Sequence, residues 1–161
     1  PLIALMQDQI TALEQLGISA GAINSGMAYP DVLRIKQKLE SNELDLLYVA
    51  PERLVMEEFL ALLDQVKIAL FAIDEAHCVS QWGHDFRPDY TALSLLANRF
   101  KEILRIALTA TADQATRKDI VDRLKLREGK TFVGGFDRPN IHYSIVKRNN
   151  PKNDLKKARP F

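Results

Sequence analysis

The feature that most constrains the fold is a continuous apolar run, residues 68–73, that ends in the carboxylate pair Asp74 and Glu75. An uninterrupted apolar run of this length is typical of a strand buried on both faces of a parallel sheet. In open sheets of this kind, ligands bind beyond the carboxyl ends of the strands. The run therefore predicts a buried strand that presents two acids to a ligand.

Helix-like and strand-like patterns alternate along most of the chain. Apolar residues recur at helical spacing in residues 2–16, 30–39, 56–63, 90–100 and 113–124. Strand-like apolar runs occupy residues 18–24, 44–49, 68–73 and 103–108, with weaker candidates at 131–133 and 141–146. Gly17 is predicted to end the first helix, and Asp113 is predicted to cap the last one.

This alternation predicts an α/β fold with a parallel, doubly wound sheet flanked by helices. Residues 50–53, 74–77 and 109–111 each follow a predicted strand. Because parallel strands end at the same edge of a sheet, we expect these three segments to line one rim.

Composition narrows the class of protein. The 161 residues are 47% hydrophobic, enough for one sizeable core, and the formal net charge is +1. The single cysteine, Cys78, excludes a disulfide framework, and no apolar run approaches the roughly 20 residues of a membrane span. Residues 138–161 carry seven Lys or Arg and one acid, a basic end that either favours phosphate backbones or is a solvated tail. We expect a reducing compartment and no membrane partner.

The acids at the end of the apolar run resemble a Walker B element. In this interpretation Asp74 holds a magnesium ion, through water, and Glu75 orients and polarises an attacking water. His77 follows at a separation that suits a hydrogen bond connecting this site with its neighbours. The alternative is that both acids only cap the next helix, whose N-terminus favours negative charge.

The loop that follows contains four large or charged groups, Trp82, His84, Phe86 and Arg87. The aromatic residues alternate with smaller ones and would share a face if the segment is extended. Stacking of a base on an aromatic side chain contributes ~1–3 kcal/mol, and an arginine adds a phosphate contact or a stacking plane. The alternative is that Trp82 and Phe86 anchor the loop onto the core.

Two hydroxyl residues, Thr109 and Thr111, follow the predicted strand 103–108. They could bridge the acids to a second domain. The alternative is that they merely begin the next helix.

A zinc site is a further alternative for this region. His77, Cys78, His84 and Asp74 could supply ligands. However, adjacent His and Cys chelate poorly, and the chain has neither paired cysteines nor a His-Glu-x-x-His spacing. We therefore interpret Cys78 as a small buried apolar residue.

Six segments, in order along the chain, resemble motifs of the RecQ-type superfamily 2 DNA helicases. They are residues 1–9 (motif Ia), 48–54 (the motif Ib region), 74–77 (motif II), 80–88 (the aromatic-rich loop), 107–112 (motif III) and 136–141 (the passage into the second motor domain). The aromatic-rich loop, Ser-Gln-Trp-Gly-His-Asp-Phe-Arg-Pro, is the specific match, because an Asp-Glu-Ala-His box also suits other superfamily 2 helicases.

The resemblance implies a partial first RecA-like motor domain over residues 1–135 and a linker with the truncated start of a second motor domain over residues 136–161. It implies ATP and Mg²⁺ as cofactors and single-stranded and duplex DNA as partners, with unwinding in the 3′ to 5′ direction during recombination and repair. It also implies a cytoplasmic, nucleoid-associated location of the bacterial type. The implied roles are hydrolysis for Asp74, Glu75 and His77, domain coupling for Thr109 and Thr111, and DNA sensing for Trp82, His84, Phe86 and Arg87.

One departure from the family pattern matters for function. No Gly-x-x-x-x-Gly-Lys-Ser/Thr phosphate loop occurs in the sequence, so the lysine that contacts the β- and γ-phosphates is missing. We expect a sheet that lacks the phosphate-loop strand, a chain that is inactive as an ATPase by itself, and the remainder of a helicase as its partner. Two other functions remain as alternatives: a nonenzymatic DNA-binding module, and an RNA helicase of the broader Asp-Glu-Ala-His group.

Overall fold

The computed structural model describes residues 3–24, 26–82, 85–135 and 140–141. The chain divides into two compact units after Gly129, and every helix and strand of the described residues lies in the first unit, Pro1–Gly129. No helix in this part of the chain is both long and apolar enough to cross a membrane.

Helices and short strands alternate along the first unit, which confirms the predicted α/β class. The α-helices are α1 (Ile3–Gln15), α2 (Tyr29–Glu40), α3 (Pro51–Leu54), α4 (Glu57–Leu63), α5 (Pro88–Ala92), α6 (Leu96–Arg99) and α7 (Gln114–Arg123). The strands are β1 (Ala20–Ile23), β2 (Leu46–Val49), β3 (Leu70–Ile73) and β4 (Leu104–Ala107). Two 3₁₀-helices, Ala76–Val79 and Leu93–Leu95, complete the order. The single helix predicted at 90–100 is thus divided among α5, a 3₁₀ turn and α6.

Both predicted helix boundaries are confirmed. Gly17 adopts the left-handed conformation, with φ of +77°, and the amide of Ile18 donates to the carbonyl of Leu13 at 3.0 Å, the pattern of a glycine-terminated helix. Asp113 caps α7, because its side chain accepts a hydrogen bond from the amide of Thr116 at 2.7 Å.

The strands are parallel, as predicted, but they form two separate pairs in the described residues. β1 pairs with β2, from Ala20 opposite Leu46 to Ile23 opposite Val49. β3 pairs with β4, from Leu70 opposite Leu104 to Ile73 opposite Ala107. The expected single doubly wound sheet is therefore not what these residues form, since apolar periodicity identifies strands but not the neighbours to which their backbones bond.

The β3–β4 pair is buried on one face only, contrary to the prediction of a strand covered on both faces. Ile73 is 6% exposed, whereas Leu70 is 49%, Leu104 73% and Ile106 41% exposed. Side chains alternate along a strand, so Leu70, Leu104 and Ile106 share one face. No layer of the described residues covers that face, which we call the open face.

Two buried clusters stabilise the unit. The first surrounds α4 and consists of Ile23, Val32, Phe59, Leu60, Leu62, Leu63, Leu96 and Phe100. The second surrounds the 3₁₀-helix Ala76–Val79 and consists of Ile73, Ala76, Cys78, Val79, Tyr90, Leu93, Ile120 and Leu124. Burial of one such aliphatic side chain contributes about 1.5–3 kcal/mol. The second cluster packs α7 against the segment that follows β3, and it thereby positions the candidate site.

Two of the weaker predictions have different outcomes. Residues 131–133 are irregular, and Phe132 is 89% exposed, so the strand predicted there is wrong. Two apolar residues, Phe132 and Val133, are too short a run to form a stable strand without a neighbouring strand. The strand predicted at 141–146 lies outside the described residues except for its first residue, as does most of the motif at 136–141.

Candidate nucleotide and nucleic-acid site

The two candidate catalytic acids lie directly beyond the carboxyl end of β3. Asp74 is exposed, and the Glu75 side chain is 47% exposed. Glu75 has a φ of +50°, a left-handed conformation that costs a non-glycine residue about 1–2 kcal/mol. The Asp74 Oδ1 accepts the Glu75 amide at 2.8 Å, which stabilises this turn. Both carboxylates are therefore accessible at the rim where α/β sheets bind ligands.

The hydrogen bonds do not support helix capping as the sole role of these acids. The helix that follows is a four-residue 3₁₀-helix, and although Glu75 is its N-cap residue, no side-chain capping bond is formed. The Asp74 carboxylate accepts from the amide of Glu75, the cap residue itself. Neither carboxylate satisfies an amide of the helix.

His77 connects the acids with residues 109–111, which follow β4 and which we call the hydroxyl segment. Its side chain is buried, and its Nδ1 lies 2.9 Å from Thr109 Oγ1 and 3.4 Å from Glu75 Oε2. The Thr109 hydroxyl also lies 3.1 Å from the carbonyl of Thr111, to which it can donate. The amide of Thr111 lies 3.3 Å from the same hydroxyl oxygen.

Two backbone hydrogen bonds hold these segments in register. The Leu108 amide donates to the carbonyl of Ile73, and the Ala76 amide donates to the carbonyl of Leu108, both at 2.9 Å. The structure thus brings together Glu75, His77, Thr109 and Thr111, which are up to 36 positions apart in sequence. Asp74 lies next to Glu75 at the same rim.

Asp74 fits the requirements of a magnesium ligand. Mg²⁺ is usually bound by one or two carboxylates together with waters and substrate phosphates. The Asp74 carboxylate is exposed, and one of its oxygens accepts the Glu75 amide while the other makes no hydrogen bond or ion pair with the described residues. This donor set suits an ion that retains most of its water.

The aromatic loop presents its tryptophan to solvent. Trp82 is 77% exposed and Phe86 is 38% exposed. The alternative in which Trp82 anchors the loop onto the core is therefore wrong, although Phe86 is more enclosed. Such an exposed indole offers a free face for stacking on a base. His84 lies outside the described residues.

The end of the loop is held by Asp85 and Arg87. The Arg87 Nη2 lies 2.7 Å from Asp85 Oδ2, and the Arg87 amide donates to the carbonyl of Cys78 at 2.9 Å. The hydrogen bond from Arg87 holds the pKa of the Asp85 carboxyl below its usual value. Beneath the loop, burial raises the pKa of Tyr90 to about 12, so this phenol stays neutral.

A cluster of possible metal ligands forms beside the loop, but its members differ from the zinc alternative. Ligand atoms of His77, Cys78 and Asp85 lie within 4.8 Å of one another. Cys78 is 1% exposed, as expected for a small buried residue, and its thiol donates to Asp85 Oδ2 at 3.7 Å. Burial, followed by the Asp85 charge, raises the pKa of the Cys78 thiol and disfavours the thiolate that zinc requires.

Sequence reasoning missed three residues that shape the loop, namely Ser80, Asp85 and Asp119. The Ser80 hydroxyl donates to Asp119 Oδ2 at 3.0 Å, across 39 positions of sequence. No local signal indicates this pair. Asp85 could have been found, because an acid two residues before an arginine in an extended loop can pair with it.

Comparison with protein families agrees with this geometry. Residues 1–120 match the family described as DEAD/DEAH box helicase. The match includes β3 with its two acids, the aromatic loop and the hydroxyl segment. The chain belongs to the DEAD/DEAH box helicase family.

Individual relatives narrow this assignment. The chain is 46% identical over 155 residues to the ATP-dependent DNA helicase RecQ of Pasteurella multocida, covering 96% of this chain and 24% of that protein. It is 45% identical to the RecQ helicase of Haemophilus influenzae, covering 96% of this chain and 25% of that protein. It is also 39% identical to the rat ATP-dependent DNA helicase Q1, covering 96% of this chain and 26% of that protein. Within the family the chain is of the RecQ type, and it spans about a quarter of the length of these relatives.

Proposed function

We propose that this chain is the nucleotide-hydrolysing and DNA-sensing part of a RecQ-like ATP-dependent helicase that unwinds DNA in the 3′ to 5′ direction during recombination and repair. One observation carries the proposal: His77, which contacts Glu75 and Thr109, lies on the 3₁₀-helix that leads directly into the loop with the exposed Trp82. The acid pair Asp74 and Glu75 and the stacking residue Trp82 are thus connected by the buried 3₁₀-helix Ala76–Val79. The relatives are ATP-dependent DNA helicases, which supports ATP and DNA as the ligands of this chain.

The residues divide the chemistry among them. Asp74 would hold Mg²⁺ through water, and the bound ion would supply charge neutralisation for the phosphates. Glu75 orients and polarises the attacking water. His77 is hydrogen-bonded to Thr109, so a shift of Asp74 and Glu75 reaches Thr109 and Thr111, which couple the domains.

The loop recognises single-stranded DNA without reading its sequence. Trp82 and Phe86 stack on bases, and Arg87 contacts a phosphate. His84 shares this role by its place in the same motif. Duplex DNA is the substrate that the whole helicase opens, and residues 136–161 begin the second motor domain. We place the helicase in the cytoplasm, with the bacterial nucleoid.

The unpaired edge of β4 supports the proposal that a phosphate-loop strand belongs to the complete sheet. Among the described residues β4 pairs with β3 on one edge and with no strand on the other. A strand edge presents unpaired N–H and C=O groups that a further strand can pair with. The sequence contains no phosphate loop, so the chain by itself is expected to lack the second half of the phosphate site.

The DNA-binding part of the proposal is tested with a labelled single-stranded oligonucleotide and fluorescence anisotropy. Trp82→Ala and Arg87→Ala are each expected to weaken binding about tenfold, because one stacked base is worth ~1–3 kcal/mol and a phosphate contact is of similar size. Tyr29→Ala is the control, since Tyr29 is equally exposed at 77% and lies outside the loop. Unchanged affinity in both loop variants would contradict the proposal.

Hydrolysis and the choice of nucleic acid are tested in the same preparation. The 161-residue chain is expected to show no DNA-stimulated ATP hydrolysis, and measurable turnover by the pure chain would show that the phosphate loop is dispensable. Stronger competition by single-stranded RNA than by DNA of equal length would favour an RNA helicase instead. A longer protein that includes the remaining helicase segments is the last comparison. If it binds DNA but shows no DNA-stimulated ATP hydrolysis, a nonenzymatic DNA-binding module is favoured.

A further inference from the structure

We infer that Asp119, on α7, is a positioning residue for the loop that carries Trp82, and that it acts through the hydroxyl of Ser80. This inference rests on the proposed DNA-binding role of the loop. Asp119 lies outside the loop and outside the residues assigned to hydrolysis.

The Ser80 hydroxyl attaches the N-terminal end of the loop to α7. Ser80 is completely buried, and its Oγ donates to Asp119 Oδ2 at 3.0 Å. The same oxygen accepts the amide of Trp82 at 3.2 Å. One hydroxyl therefore connects a carboxylate of α7 with the backbone of the stacking residue, and both its donor and its acceptor capacity are used.

Asp119 is well placed to supply a rigid acceptor. Its side chain is 22% exposed, and its Oδ2 also lies 3.4 Å from Arg123 Nε, one helical turn further along α7. α7 is in turn fixed by the Asp113 cap and by Ile120 and Leu124 in the second cluster. A hydrogen bond to a carboxylate is stronger than one between neutral groups, so the charge of Asp119 matters as well as its shape.

This arrangement gives the hydroxyl segment a second connection to the loop. Thr111 is two residues before the cap of α7, and α7 contacts the loop through Asp119. The first connection runs from Thr109 through His77 and the 3₁₀-helix. Both connections meet at Ser80, which directly follows the 3₁₀-helix and bonds to Asp119.

The test uses the 161-residue chain with Asp119→Asn and Ser80→Ala. Trp82 is the only tryptophan, so its time-resolved fluorescence anisotropy reports loop order without a label. We expect the amplitude of the sub-nanosecond decay to rise about twofold and the dissociation constant for single-stranded DNA to rise about fivefold. The double variant is expected to match Ser80→Ala, because residue 119 acts on the loop through the Ser80 hydroxyl and has no effect once that hydroxyl is gone.

Asp122→Asn is the matched control. It makes the same chemical change on the same helix, but its carboxylate pairs with Arg127 at 3.0 Å and not with the loop. Asparagine is nearly isosteric with aspartate, so Asp119→Asn is expected to fold even if Ser80→Ala does not, and the measurement can then be made on Asp119→Asn alone. If Trp82 anisotropy in Asp119→Asn equals that in Asp122→Asn, the inference is overturned. Loss of binding in Trp82→Ala alongside that result would leave the proposed function intact.

Discussion

For Arg87, the role that the sequence predicts differs from the contact that the structure shows. The aromatic motif indicates a phosphate contact, yet in the structure the Arg87 guanidinium is paired with Asp85 at 2.7 Å. A carboxylate and a phosphate accept hydrogen bonds from the same N–H groups of a guanidinium. If Arg87 binds a DNA phosphate as proposed, we expect Asp85 to compete with that phosphate for the guanidinium.

Replacement of Asp85 tests this competition. Asp85→Asn is expected to strengthen binding of single-stranded DNA about threefold at low salt, because Arg87 loses an intramolecular partner and one repulsive charge is removed. The gain should shrink at high salt, where charge interactions are screened.

The measurement is the dissociation constant as a function of salt concentration. Asp89→Asn is the control, since it removes an exposed acid two residues beyond Arg87 that is not its partner. If both variants bind equally well, general charge repulsion explains the effect and competition at Arg87 does not.

At the scale of the element, α7 shows how a local signal and a long-range contact combine. The Asp113 cap was readable from sequence because its donor, the amide of Thr116, is three residues away. The packing of Leu124 against the 3₁₀-helix and the Asp119–Ser80 bond were not readable, since their partners are about 40 positions away. The helix itself is predictable, but its role in supporting the loop is not.

The cap gives an expected pH dependence. Backbone hydrogen bonding from Thr116 lowers the pKa of the Asp113 carboxyl in the folded state. Because the folded pKa lies below the unfolded value of about 3.9, the contribution is fully present above that pH and is lost as pH falls through the folded pKa. Asp113→Ala should therefore lower Tm by a few degrees at pH 7, and the difference should disappear in strong acid.

Thermal unfolding followed by circular dichroism checks this expectation. Asp113→Asn serves as the control, because asparagine also caps a helix but does not titrate. Equal melting of Asp113→Ala and the unchanged chain at pH 7 would show that the cap does not stabilise the fold.

At the scale of the whole molecule, the open face is the main departure from expectation. The sequence predicted a strand buried on both sides, whereas Leu70, Leu104 and Ile106 are exposed together. Contiguous exposed apolar side chains beside a strand edge promote association. The isolated chain should therefore depend on another polypeptide to cover this face.

Sedimentation velocity tests this dependence. The chain is expected to associate as its concentration rises, and the double variant Leu104→Glu with Ile106→Glu is expected to remain monomeric. Leu16→Glu is the control, because Leu16 is 76% exposed at the end of α1 and does not belong to the open face. Association that continues in the double variant would place the contact elsewhere.

Local sequence patterns are sufficient to predict the order of most helices and strands, the caps of α1 and α7, and the position of the acid pair after β3. Those features depend on local periodicity and on bonds that span a few residues. The pairing of the strands two by two, the exposure of Trp82 and the Ser80–Asp119 bond become apparent in the folded structure alone. Such features depend on which distant segments meet, and side-chain burial and backbone pairing between them leave no local pattern to read.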